Sequence, residues 1–330
     1  MLMCDTSSCR LCFRRSFKED GRRRSATLST FVPVEGDFVN VLQCRPVMKF
    51  RGKIVDVACL GRFTRVVSTI AKLTKTCVLR LTPDRLFFVL CGKVADGGVA
   101  VWCELAQANI FDEYQLEGVS SQDNEICLEV TPENVFRALR TVQNAKSVKV
   151  KLTKKHCPCL TVGAELPTAS SVSRVVTHDV PVDVVPRRLW HEFKEPAVPD
   201  FDVSVYLPPL KTMKNVVDRM KNLSNFLVVE ANLSGEMTLK IETDLVSVTT
   251  HFRDLGNPQW GDPASRDGGR RRDADSVAQA RVDIRKLQQF LAGQQVNPSR
   301  AMCNIGHQRV LHLILLHEGV SLQYFIPAVA

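Results

Sequence analysis

No stretch of this 330-residue chain is apolar over anything approaching the length of a membrane span, so no membrane-crossing helix and no membrane partner is expected. It has no glycine-rich loop ending in lysine, no Gly-x-Gly-x-x-Gly after a strand and no His-Glu-x-x-His. Nucleotide-cradling, dinucleotide-binding and zinc-peptidase chemistry therefore have no motif here. Acidic residues stand singly, not in the clusters that hold the ions of a metal-dependent nuclease. Cys9-x-x-Cys12, with Cys4 near by, has no second Cys or His pair at zinc spacing. Cys157-Pro158-Cys159 is too tight for adjacent zinc ligands and reads as alternate strand positions. His178-Asp179 lies on an alternating strand without a nucleophile signature and reads as structural. No metal, cofactor or catalytic residue is expected, and the chain reads as a binding module, not an enzyme. Aromatics are few, at 7%, which suits strand-rich domains packed with Val and Leu.

What the chain does have is positive charge and a repeated element. The net charge of +9 permits a polyanionic partner. Cys59, Cys77, Cys91, Cys103, Cys127 and Cys303 are scattered among apolar runs and read as reduced core cysteines of an intracellular protein.

The repeated element is an amphipathic helix. Over residues 60–75, LGRFTRVVSTIAKLTK, a helical period puts Leu60, Phe63, Val66, Val67, Ile70 and Leu73 on one side. Arg62, Arg65, Lys72 and Lys75 fall on the other, and no acidic residue occurs between Val57 and Leu79. Residues 210–223 repeat this, with Met213, Val216, Val217, Met220 and Leu223 on the apolar arc and Lys211, Lys214 and Lys221 opposite, interrupted by Asp218. Residues 131–145 open with Thr131 as N-cap and Pro132 at the first helical position. There Val135, Leu139 and Val142 face in, while Arg137 and Arg140 face out. In residues 283–292, Ile284, Leu287 and Leu291 face in; Arg285, Lys286 and Gln289 face out. Each helix is followed by strand, turn and strand, as in CVLRLTPDRLFFVL and FLVVEANLSGEMTLKI. The chain is thus two similar halves of two helix-plus-strands units each.

In chain order, residues 1–47 are rich in Arg, Ser and Cys without sustained period and read as a disordered extension. Asp5, Glu19 and Asp20 argue against a transit peptide. Met48 begins a clean strand, MKFRGKIVDV, and is taken as the start of the folded unit. The first domain is 48–178, with two further strands after an Asp96-Gly97-Gly98 turn. Residues 179–202 carry four prolines and read as an extended interdomain connector. The second domain is 203–330, broken by a mobile loop at 257–280 in which Arg270, Arg271 and Arg272 are balanced by acids. Sheets outside and helices inside would make one positive track suited to a duplex backbone without base reading. The residues expected to face the duplex are Arg62, Arg65, Lys72, Lys75, Arg137, Arg140, Lys211, Lys214, Lys221 and Arg285.

Several stretches are recognisable. MKFRGKIVDVACL, TRVVSTIAKLTKTCVLRLTPD, WCELAQANIFDEYQLEGVS, LVSVTTHFRDLGNP, RKLQQFLAGQQVNP and EGVSLQYFIPA closely resemble the Hus-one family of checkpoint clamp subunits. The resemblance covers 48–330, with a poor match at 257–280; residues 1–47 lie outside it. It implies an α+β, two-domain sliding-clamp subunit like proliferating cell nuclear antigen, antiparallel sheets outside and four helices lining the DNA-facing surface. It implies a heterotrimeric ring with Rad-nine and Rad-one type subunits, placed on double-stranded DNA by a loader with a Rad-seventeen subunit. Such a ring supports ATR kinase signalling and repair enzymes, and works in the nucleus, with the cytoplasm also open. The main form of the subunit and its B paralogue are both compatible with the sequence. A homotrimeric replication-type clamp is the alternative. By the same resemblance the subunit-facing strands are 172–178, with Arg174, Val175 and Val176, and 237–243, with Leu239, Lys240 and Ile241. The connector and the C-terminal residues are expected to form a partner groove through Val184, Trp190, Phe325 and Pro327, with Tyr324 and Ile326 beside them.

Overall fold

The structure, a computed structural model, describes residues 48–91, 98–120, 122–167, 174–258, 276–293 and 298–329. The 1–47 extension with Cys4, Cys9 and Cys12, the Asp96-Gly97 turn, Val172 and most of 257–280 with its three arginines lie outside the described residues. The first half runs β1 (Lys49–Ile54), α1 (Val57–Leu73), β2 (Cys77–Leu81), β3 (Arg85–Cys91), β4 (Ala100–Ala106), β5 (Glu113–Glu117), β6 (Ile126–Val130), α2 (Pro132–Thr141), β7 (Ser147–Lys154), β8 (Pro158–Leu166) and β9 (Arg174–Pro181). Then come β10 (Asp183–Val184) and a 3-10 helix, Arg187–Phe193. The second half runs β11 (Val203–Tyr206), α3 (Leu210–Met220), β12 (Phe226–Asn232), β13 (Met237–Glu242), β14 (Ser247–Phe252), β15 (Val277–Asp283), α4 (Ile284–Gly293), β16 (Arg300–Gly306), β17 (Val310–His317) and β18 (Val320–Pro327). Among the described residues no helix is long and apolar enough to cross a membrane.

Local chemistry sets the element ends. In β1, Phe50, Gly52 and Ile54 are buried and Lys49 and Arg51 point out, the period of a half-buried strand. Gly52 is required: a Cβ there would stand 2.5 Å from the Phe111 ring. The first helix starts at Val57, three residues before its apolar face does. Its start is fixed by Asp56, whose carboxylate accepts from the Ala58 N–H at 2.9 Å. That bond also holds the Asp56 carboxyl below its usual range. In α2, Thr131 is the N-cap and Pro132 the first helical residue, as expected. Helix α3 ends at Met220, so Leu223 lies beyond it and is exposed instead of joining the apolar arc. The β12–β13 turn depends on Gly235 at φ +82°, where a Cβ would fall 2.1 Å from the Leu255 carbonyl oxygen.

Three antiparallel sheets result, in the orders β5-β1-β7-β8-β9, β10-β6-β2-β3-β4-β18-β17-β16-β11 and β14-β13-β12-β15. The nine-stranded sheet spans both halves, because β4 pairs with β18 from Val320↔Leu105 to Phe325↔Ala100. The inward faces of all three sheets and the apolar arcs of all four helices share one buried cluster. The described residues from Met48 onward accordingly belong to one compact unit.

Two expectations are corrected. The stretch 237–243 is not an edge: β13 bonds to β12 on one side and β14 on the other, so its N–H and C=O groups are already taken. Leu239 and Ile241 are core residues, and Lys240 pairs with Glu242 of its own strand at 2.7 Å. The connector is not simply extended. Its apolar side chains fold onto the outer face of the nine-stranded sheet, where Leu189, Trp190 and Phe193 pack against Val78, Cys127 and Val185. Trp190 Nε1 donates to the Val185 carbonyl at 2.9 Å, which closes that turn.

Candidate functional site

The four helices form a single row in the order α2–α1–α4–α3, each touching the next. The middle joint crosses from one half of the chain to the other. Gln289 of α4 donates to the carbonyls of Lys72 and Leu73 at 3.0 Å each, and Gly293 closes on the Leu73 side chain. Gln288 reaches the other way and donates to Asp218 of α3 at 2.7 Å. Two adjacent glutamines on one helix thus tie it to both neighbours. Neither was read as structural from the sequence, because side-chain reach between helices leaves no period.

The ten cations expected on this row divide by their partners. Arg65, Lys72, Lys75, Lys211 and Lys221 are exposed and have no ion pair among the described residues. Arg140 is also exposed and lies over the Phe136 ring at 5.7 Å. Arg285 donates to Asn225 Oδ1 at 3.1 Å. Arg137 pairs with Glu133 at 2.8 Å and Lys214 with Asp218 at 2.7 Å, both one helical turn away. Lys214, then the Gln288 bond, hold the Asp218 carboxyl below its usual range. Arg62 stands apart. Its guanidinium is engaged by Glu318 at 2.9 Å and by the Asn109 carbonyl at 3.0 Å, so it braces the β17–β18 turn against α1. Arg219, absent from the sequence reading, is exposed on α3, eight residues after Lys211; that spacing keeps it near the same helix face.

The edge strands of these two sheets are β5 and β9 in the first half and β14 and β15 in the second; β9 carries the expected subunit-facing residues 174–178, and β14 covers the expected strand 237–243. On β9, Arg174 and Val175 are exposed, Val175 at 68%, and Val176 is half-buried. On β14, Ser247, Thr249 and His251 are exposed, while Val248 and Phe252 pack inward. His178 and Asp179 on β9 do not act together: His178 bonds the Thr141 hydroxyl, and Asp179 is held by Lys155 at 2.5 Å and Thr161 at 2.6 Å.

The four expected groove residues are not brought together. Val184 and Trp190 lie at the β10–β6–β2 end of the nine-stranded sheet, and Phe325 is on β18, beyond β3 and β4. Phe325 is thus three strand spacings, about 14 Å, from β2 and five, about 24 Å, from Val184 on β10. Phe325 and Pro327 are buried. Phe325 stacks on His312 at 4.1 Å, and Phe201 of the connector stacks on His312 at 5.1 Å. The outer face instead holds a cleft of about 550 Å³ between connector residues 198–201 and Asn304, His312, Ile314 and Gln323. A hydrogen-bonded chain lies along it. Asn304 Nδ2 donates to His312 Nδ1 at 3.2 Å, His312 Nε2 to Gln323 Oε1 at 3.1 Å, and Gln323 Nε2 to Glu195 at 3.2 Å. These partners fix the neutral tautomer of His312, and burial pushes its pKa down to about 4. Cys91 also departs from expectation: it is exposed and donates to the Glu192 carbonyl, while Cys77, Cys103, Cys127 and Cys303 are buried as expected.

Comparison with known proteins agrees with this geometry. Two solved clamps superpose on the chain. The proliferating cell nuclear antigen of Entamoeba histolytica covers 85% of this chain and 99% of its own, with a TM-score of 0.61 at 11% identity. That of Thermococcus kodakaraensis covers 85% and 100%, with a TM-score of 0.59 at 13% identity. At such identity the likeness establishes the fold: an α+β sliding clamp. The human checkpoint protein HUS1 is 61% identical over 283 residues, 86% of this chain and 100% of that protein. The checkpoint protein hus1 of Schizosaccharomyces pombe is 32% identical over 276 residues, 81% of this chain and 93% of its own. The model of the Hus1-like protein family matches residues 48–330, and with these identities the chain belongs to the Hus1-like family.

Proposed function

We propose that this chain is one subunit of a ring-shaped checkpoint clamp that encircles double-stranded DNA and serves as a platform for damage signalling and repair. The carrying observation is the unbroken row α2–α1–α4–α3, whose apolar arcs are buried in one cluster with residues of all three sheets while Arg65, Lys72, Lys75, Lys211 and Lys221 stay exposed. Such a layer suits phosphate contacts that position a duplex without reading bases. In this reading 48–178 and 203–330 are the two clamp domains and 179–202 the connector. The ring closes by strand addition at β9 and at β14, each edge offering a row of unpaired backbone groups. The two edges are unlike: Arg174 and Val175 on one, Thr249 and His251 on the other. That asymmetry favours two different neighbours, of the Rad-nine and Rad-one types, over self-closure. A loader with a Rad-seventeen subunit supplies the ATP hydrolysis for which this chain has no motif, the loaded ring supports ATR signalling, and the site of action is the nucleus. The chain itself is a scaffold and not an enzyme, and the outer cleft beside the connector receives segments of repair enzymes.

Co-purification tests the reading. The full chain co-expressed with both clamp-type partners should elute as a complex with one copy of each by light scattering. That complex, loaded on a nicked circle, should stay through a high-salt wash and be lost when the circle is linearised. An isolated chain that closes into a trimer by itself would remove the heteromeric assignment.

A further inference from the structure

The turn between β7 and β8 carries two thiols that the clamp reading does not use. Alternate positions of one strand would send Cys157 and Cys159 to the same face, but at a strand's spacing and not in contact. The structure departs from that expectation. Cys157 lies in the turn ahead of Pro158, the first residue of β8, and its Sγ stands 3.7 Å from Cys159 Sγ. Cys157 is exposed and Cys159 is buried. Proline between them fixes one backbone torsion, which reduces the freedom lost on joining the sulfurs. A disulfide requires about 2.05 Å between sulfurs. The exposed Cys157 side chain therefore has only a short swing to make. No other two thiols are in contact among the described residues. A metal is a poorer occupant: among the described residues no group of three or more His, Cys, Asp or Glu could hold one.

We propose that Cys157 and Cys159 form a reversible intrachain disulfide when the protein meets a peroxide. Cys157, as its thiolate, attacks one peroxide oxygen; the O–O bond breaks and the other oxygen leaves as water after taking a proton. Cys157 is then a sulfenic acid. The Cys159 sulfur displaces that hydroxyl, which leaves as a second water with the Cys159 thiol proton, and the S–S bond forms. Two thiols have lost two electrons and two protons, and the peroxide has been reduced to two waters. A dithiol reductant restores both thiols by exchange. Cys159 sits opposite Pro181, at the end of β9 far from Arg174, so the pair stays reachable if that edge is a subunit joint.

The test uses the reduced full chain, a brief hydrogen peroxide exposure, alkylation in denaturant and peptide mass spectrometry. The peptide spanning 157–159 should lose both alkylatable thiols and become lighter by two hydrogens, and dithiothreitol should restore it. In Cys159→Ser the oxidation should stop at a sulfenic acid on Cys157 that dimedone traps. In Cys157→Ser, an exposed change that leaves the core intact, Cys159 should remain alkylatable. Both cysteines still alkylated while Cys91 oxidises, or Cys157 joined to a second chain, would overturn the assignment.

Discussion

Gln289 of α4 hydrogen-bonds the carbonyl of Leu73, the last residue of α1, and the carbonyl of Lys72 beside it. The last carbonyls of a helix have no partner within it. Here the partner comes from the other half of the chain, so the end of one helix is completed by the side of another. Gln289→Ala should lower stability by about 1–2 kcal/mol, since each bond is worth roughly 1 kcal/mol net. Urea unfolding measures it, and amide exchange in the last turn of α1 should quicken. An unchanged midpoint with unchanged exchange would show that the two bonds do not hold the joint.

Exposed cations and engaged ones should separate on mutation. Reversing Arg65, Lys72, Lys75, Lys211 and Lys221 to Glu should weaken retention of the assembled ring on DNA. The slope of log affinity against log salt should become shallower by about 0.9 for each phosphate that is no longer neutralised. Assembly should survive. Arg62→Glu should instead loosen the fold, because the new carboxylate would face Glu318 with like charge. A melting point for Arg62→Glu equal to that of the parent would contradict this division.

The β9 and β14 edges should fail independently. Val175→Lys on β9 and Thr249→Lys on β14 add charge to edge positions that are exposed in the subunit. Each should abolish capture of one clamp partner in a pairwise pull-down and spare the other. Loss of both partners from either single variant, with the subunit still folded, would mean that the joints lie elsewhere.

Acid should act through His312. Burial holds it neutral down to about 4, with the Gln323 bond working weakly against that, whereas an unconstrained histidine takes a proton near 6.5. Between those values the unfolded chain binds more protons than the folded one, so stability rises with pH across that window and is level above it. The fall on acidification from pH 6.5 to 4 is at most about 3 kcal/mol. Urea midpoints taken across that range should show it in the parent and lose it in His312→Gln. A variant with the same pH dependence as the parent would assign the effect to other groups.

The sequence carried the helices and hairpins well because each leaves a period. The alternation of Val148 and Val150 with Lys149 and Lys151 is visible in any window, and β7 follows it. Helix ends were less legible where a single side chain decides, as Asp56 does for α1. What the sequence could not carry was pairing between distant segments. Nothing near Leu239 says that β14 covers one side of β13. Nothing near Arg62 announces Glu318. The approach of Cys157 to Cys159 was not legible because Pro158 begins the strand one residue after Cys157. The partner groove was misplaced because Phe325 looks surface-like in a C-terminal segment, yet stacking on His312 buries it.

The pairing of β4 with β18 has a consequence for how the chain is made. Val101 lies opposite Tyr324, so a strand of the first half finds its neighbour only when residues 320–325 have left the ribosome. At ordinary synthesis rates that wait is on the order of tens of seconds. Throughout it β4 presents a bare hydrogen-bonding edge with Trp102 and Val101 on it, the kind of surface that recruits chaperones or another nascent copy. Pairing strands across so long a loop also makes this a slow folder among domains of its size.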